Sequence, residues 1–260
     1  MRNPTRESGR VSERAMAKWT DTLKERVTLV TGGSGGLGRG VVKVLLEAGA
    51  RLHIPIYADD EIPALEAFLG NGFSALNLHS DVDLTDESDV TALFDAIREA
   101  EGHGPDAVVN LAGGFAMSPI EETGPGVWDR MWRMNATTAF LVSRAAFPEM
   151  KSRGHGRIVN VSALPALDRG QSGLTAYGAA KAAVLNLTQT LSREGVEHGI
   201  TVNAVLPSII DTPGNREAMP DADRHRWLDP VEIGRVVRSL LSDEAQIVNG
   251  AAIPLTLGPS

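Results

Sequence analysis

The stretch RVTLVTGGSGGLGRGVVKVLLEAG, Arg26 to Gly49, constrains the fold of this chain more than any other. A β-branched run, Val27 to Thr31, passes directly into a segment crowded with glycine, and that segment into an apolar stretch with helical spacing. Glycine at this density destabilises strand and helix alike, so Gly32 to Gly40 reads as a tight turn joining a strand to a helix. A chain that leaves a strand this way rejoins the sheet by a crossover, which places the next strand parallel to the first.

The rest of the chain repeats the alternation. Strands are expected near 27–31, 51–57, 73–78, 106–111, 157–161, 200–206 and 251–255. Between them, Val90, Leu93, Phe94 and Ile97 share one helical face, with Thr85 as the expected N-cap. Asp229, Pro230 and Glu232 occupy cap, first-turn and capping-box positions before Ile233, Val236, Val237 and Leu240. The pattern predicts an α/β, Rossmann-like, doubly wound seven-stranded parallel sheet with helices on both faces. No repeat or low-complexity linker interrupts it.

Composition bounds the rest. A chain of 260 residues, 42% hydrophobic, can bury one large core, expected over residues 24–260 as a single domain. Residues 1–23 are polar and rich in Arg and Ser, and are expected to be a disordered extension or an over-long start ahead of Met16. A net charge of −8 opposes a nucleic-acid partner, which would require clustered Lys and Arg. The absence of cysteine excludes disulfides and thiolate catalysis, and the six histidines show no HExxH spacing, so no metal is expected. No apolar run approaches the roughly 18 residues of a membrane span, and the N-terminus lacks the apolar core of a secretory signal. The expected location is the cytoplasm.

The glycine turn sits where a dinucleotide fingerprint must, after a strand and before a helix. Glycines there allow the tight turn, the approach of backbone N–H groups to pyrophosphate, and the packing of helix on strand. Two spacings fit: Gly33, Gly35 and Gly38 as G-x-G-x-x-G, or Gly32, Gly36 and Gly38 as T-G-x-x-x-G-x-G. NAD(P)H is the implied cofactor. The acid that would read the adenosine ribose falls near Ile56, with Asp59 and Asp60 a turn further on and no Arg at Tyr57 or Ala58, so NAD against NADP stays open.

Further pieces follow in order: Asp83 in DVDLTD, NLAG from Asn110 to Gly113, Asn135 in MWRMNATTAF, Tyr177 and Lys181 in YGAAK, and LPSIIDT from Leu206 to Thr212. Together with the glycine turn these resemble the short-chain dehydrogenase/reductase family over about residues 24 to 258. The resemblance implies an NAD(P)H-dependent oxidoreductase acting on a small molecule as a homodimer or homotetramer. It implies cofactor contacts from Gly32, Ser34, Gly36, Leu37 and Gly38 in the turn, and from Asp83, Asn110, Ala112 and Gly113 after later strands. Pro207, Ile210 and Thr212 would cradle the nicotinamide, with Tyr177 and Lys181 also touching the cofactor. Tyr177 would donate the proton, Lys181 would hold the ribose hydroxyls, and Asn135 would interrupt its helix and seat a water.

Spacing supports part of this independently: Tyr177 and Lys181, four apart, share a helix face, and an ammonium there is expected to lower the phenol pKa. The family's substrate-polarising serine, however, is missing. Ala163 stands at the end of the fifth strand, and counting back the family's usual interval from Tyr177 reaches Leu164. Ser162 is one residue early, facing the opposite side of a strand, so either Ser162 or a water would have to take the serine's place.

Dihydropteridine reductases lack this serine too, and ALDRGQSGLTAYG and the segment from Asp211 to Trp227 resemble that branch. A quinonoid ring delocalises charge and needs a second donor less than a ketone does. Three readings follow: a dihydropteridine-reductase-like enzyme, a ketoreductase or alcohol dehydrogenase of the 3-oxoacyl reductase type, and a catalytically weak dinucleotide-binding regulator. Trp128, Met131 and Trp132 are expected in a core or subunit interface, and Met219 and Trp227 in a substrate lid.

Overall fold

A computed structural model describes residues 23–167 and 170–257. Its seven strands form one parallel sheet in the order β3-β2-β1-β4-β5-β6-β7. The strands are β1 Val27–Thr31, β2 Arg51–Pro55, β3 Asn77–His79, β4 Ala107–Asn110, β5 Gly156–Val161, β6 Ile200–Pro207 and β7 Ala252–Leu255. The expected extension lies outside the described residues except for Leu23, which is fully buried with its N–H on Ala48 O at 3.1 Å.

Two helix layers cover the sheet. On one face α1 (Gly36–Glu47) buries Val41, Val42 and Leu45 against Val30, Ile54 and Val205. The later helix Pro230–Leu241 packs there too through Ile233, Val237 and Leu240. Between these two helices, a Cβ on Gly40 would lie 2.5 Å from Pro230 Cβ, so glycine sets their close approach. On the other face the helix Glu87–Glu101 buries the predicted Val90, Leu93, Phe94 and Ile97, beside Phe147 and Met150 of Thr138–Arg153.

Numbered in chain order the helices are α1, α2 (Ile62–Leu69), α3 (Glu87–Glu101), α4 (Pro125–Met131), α5 (Thr138–Arg153), α6 (Thr175–Gly195), α7 (Pro213–Ala218) and α8 (Pro230–Leu241). Among the described residues no helix is long and apolar enough to cross a membrane.

Local expectations shift in three places. The third strand covers Asn77–His79, because Gly70–Ala75 coils as a 3₁₀ turn off α2, with Gly70 at φ +55°. The N-cap of α3 is Asp86, which accepts from Ser88 N at 2.7 Å, while Thr85 Oγ1 accepts from Arg133 instead. Asp229 caps α8 through Val231 N at 2.8 Å, but Glu232 pairs with Arg235.

Candidate active site

Strand order reverses between β1 and β4, and the crevice outside their carboxyl ends is where such a sheet takes ligands. Thr31 closes its floor: its Oγ1 accepts from both Leu111 N and Ala112 N at 3.1 Å, tying the two strand ends together. Gly32 turns at φ +63°, and a Cβ there would sit 2.8 Å from Ala112 N. A Cβ on Gly38 would lie 2.0 Å from Gly32 O. Of the two spacings, the set Gly32, Gly36 and Gly38 is thus fixed at both ends by backbone. Gly36 faces Thr212, whose Cβ would be 2.8 Å from an added methyl, so the loop after β6 reaches the glycine turn.

Helix α1 starts from Gly35 with no side-chain cap, leaving its first N–H groups available to an anion. Beside it opens a cavity of about 610 Å³, bordered by Gly32, Ser34, Asp83, Ala112 and Gly113 from the expected set. The cradle, the free helix start and the cavity fit a nicotinamide dinucleotide.

Other residues of the expected set do not border this cavity. Asn110 is buried with its Nδ2 on Asn160 Oδ1 at 2.8 Å and Ser143 Oγ at 3.2 Å, stitching the sheet to α5. Leu37 packs against the core under α1. Pro207 ends β6, Ile210 forms a bridge with Leu228, and Thr212 caps α7 through Asn215 N at 3.2 Å. Trp227 is buried rather than lid-like, with Arg224 over its ring at 5.6 Å, because the bridge folds this segment back on itself. Met131 is buried against Ala176 and Ala180, whereas Trp128 stays partly exposed.

The residues expected to handle the proton meet at the start of α6. Around Asn135 the helix widens into a π turn, Trp132–Thr137, and its Nδ2 donates to Met131 O at 2.9 Å and Gly114 O at 3.1 Å. A Cβ on Gly113 would lie 2.5 Å from Asn135 Oδ1 and 3.4 Å from Lys181 Nζ, so the NLAG turn rests on both side chains. Lys181 is buried, its Nζ donating to Val161 O at 2.9 Å and standing 5.9 Å from the Tyr177 ring centre.

Burial pushes the lysine down to about 8 and the Tyr177 phenol up to about 12. The expected fall in the phenol pKa is therefore reversed: the ammonium is drawn to a carbonyl while Phe115, edge-on at 5.0 Å, helps shield the ring. Ser162 is no substitute donor in this arrangement. Strand alternation turns it into α6, where its Oγ donates to Lys181 O at 2.7 Å. Ala163 follows it, buried, two residues past the end of β5.

Several cavity residues escape a reading of the sequence: Tyr57, Glu61, Arg130, Arg133 and Met134. Glu61 accepts a hydrogen bond from the Ser34 hydroxyl. The signal for it was the acidic run Asp59, Asp60, Glu61, but only the 3₁₀ turn over these residues decides which acid swings inward.

Known proteins resemble this chain over most of its length. A family model described as short chain dehydrogenase matches residues 26–223. Acetoacetyl-CoA reductase of Rhizobium meliloti (strain 1021) is 34% identical over 239 residues, 88% of this chain and 95% of that one. Cyclopentanol dehydrogenase of Comamonas sp. (strain NCIMB 9872) is 32% identical over 243 residues, 89% of this chain and 95% of that one. Among solved structures, levodione reductase superposes with a TM-score of 0.81 at 28% identity, covering 90% of this chain and 97% of that one. The matched family range begins one residue before β1 and runs past α7, taking in the crevice and the whole tyrosine–lysine–asparagine cluster; the chain belongs to the short-chain dehydrogenase family of NAD(P)-dependent oxidoreductases.

Proposed function

We propose that this enzyme works as a reductase on a flat, conjugated acceptor of the quinonoid dihydropterin kind, with Tyr177 as the single side-chain proton donor. The observation that carries the reading is the pair of residues after β5: Ala163, at the place of the expected second donor, has no hydroxyl, and the Ser162 hydroxyl is spent on Lys181 O. A nicotinamide dinucleotide held by the glycine turn would supply the hydride. Tyr177, with its pKa raised to about 12, holds its proton at neutral pH and is ready to give it to an oxygen or nitrogen of the acceptor. Lys181 keeps positive charge near the phenolate left after transfer, and Asn135 holds the Gly113–Gly114 backbone against it. Seating of a relay water by the π turn and the cofactor contacts of Leu37, Pro207, Ile210 and Thr212 belong to the same reading.

A second reading is ketone or alcohol chemistry, favoured by the names of the relatives, acetoacetyl-CoA reductase and cyclopentanol dehydrogenase. The test is oxidation of NADH and NADPH by purified protein with a quinonoid dihydropterin, quinones and simple ketones, each against a no-enzyme control. Turnover restricted to conjugated acceptors supports the first reading, and efficient ketone turnover replaces it with the second. Assembly as a homodimer or homotetramer is part of either, with the exposed Trp128 of α4 and Phe140 of α5 as candidate contacts. Light scattering on the purified chain measures that directly.

A further inference from the structure

We propose that Glu61 reads the adenosine ribose of the dinucleotide and gives the enzyme a preference for NADH over NADPH; this rests on the dinucleotide reading of the cavity. The position where an acid was expected, Ile56, is fully buried in the core and carries no charge. Tyr57, next to it, is 71% exposed and equally uncharged. Chain direction then changes: Asp59–Glu61 forms a 3₁₀ turn, and that turn brings Glu61 back to the glycine loop. There its carboxylate accepts from the hydroxyl of Ser34, itself 4% exposed, and both residues border the cavity.

A carboxylate within one hydroxyl of the phosphate-binding turn can accept a hydrogen bond from a free ribose 2′-OH. A 2′-phosphate would instead bring roughly −2 of charge against it. Arg39 and Arg133, two of the cations nearby, are held by protein acceptors. Arg39, within the glycine segment, donates to Gly35 O at 3.3 Å and Ala64 O at 3.5 Å. Arg133 donates to Thr85 Oγ1 at 2.8 Å, on the loop after β3, and Arg130 enters the cavity from α4.

The experiment is equilibrium titration of the full chain with NADH and with NADPH, followed by nicotinamide fluorescence, for wild type and Glu61→Gln. Glu61 is solvent-exposed, and a melting curve confirms that the variant folds. The expected result is tighter NADH binding in the wild type, and a NADH-to-NADPH affinity ratio that falls about tenfold in Glu61→Gln, mostly through tighter NADPH. A wild-type preference for NADPH, or a ratio unchanged by the substitution, overturns the assignment while leaving the dinucleotide reading standing. Binding of neither cofactor overturns both.

Discussion

At the scale of single residues, the site turns on what stands beside Tyr177. The pair Tyr177 and Lys181 was legible from spacing, because side chains four apart on a helix share a face. The direction of the phenol's shift was not, since it depends on how deeply the folded chain buries the ring. Two outcomes follow. Ala163→Ser is expected to raise kcat/KM for simple ketones about tenfold by adding a donor, while changing turnover of conjugated acceptors little; steady-state kinetics on both substrate types checks it. With the lysine's pKa lowered to about 8, its charge is present below that pH and lost above it. Reduction should therefore hold steady through neutral pH and decline as pH rises past about 8, a fall that a kcat profile would show and that Lys181→Met should remove along with most activity.

Secondary elements follow their sequence signals where the signal is a burial period and depart where a competing local group intervenes. The face Val90, Leu93, Phe94 and Ile97 of α3 packs as the spacing requires, yet the helix starts from the carboxylate of Asp86 rather than the hydroxyl of Thr85. Thr85→Ala should thus leave stability nearly unchanged and Asp86→Ala should lower the melting temperature. The β3 strand shortens because glycine at 70 and 72 lets the preceding segment coil. Contacts between helices are less visible in a sequence: nothing local marks Gly40 as the place where α1 meets α8. Gly40→Ala forces a methyl against Pro230 and is expected to cost about 1–3 kcal/mol in urea unfolding, although alanine is the better helix former.

For the whole molecule, alternation of strand and helix was enough to give the doubly wound sheet, and the order reversal between β1 and β4 puts the crevice at the glycine turn. What alternation could not show is a polar cluster at the sheet's edge. His53 of β2 is fully buried between His79, at 3.0 Å, and Glu101, at 3.0 Å, and burial lowers its pKa to about 4. The unfolded chain protonates this histidine near pH 6.5, so unfolding takes up protons between about 6.5 and 4, and stability is lost as pH is lowered through that window, by up to roughly 3 kcal/mol. Urea unfolding at stepped pH checks this, with His53→Phe flattening the dependence.

The central claim is that a cofactor-loaded crevice delivers hydride while Tyr177 alone delivers the proton. Its most direct test compares Tyr177→Phe with wild type by cofactor titration and by turnover on whichever acceptor proves active. The account predicts NAD(P)H affinity within about twofold of wild type and a loss of turnover of about 10²- to 10⁴-fold. Turnover retained in Tyr177→Phe would contradict it.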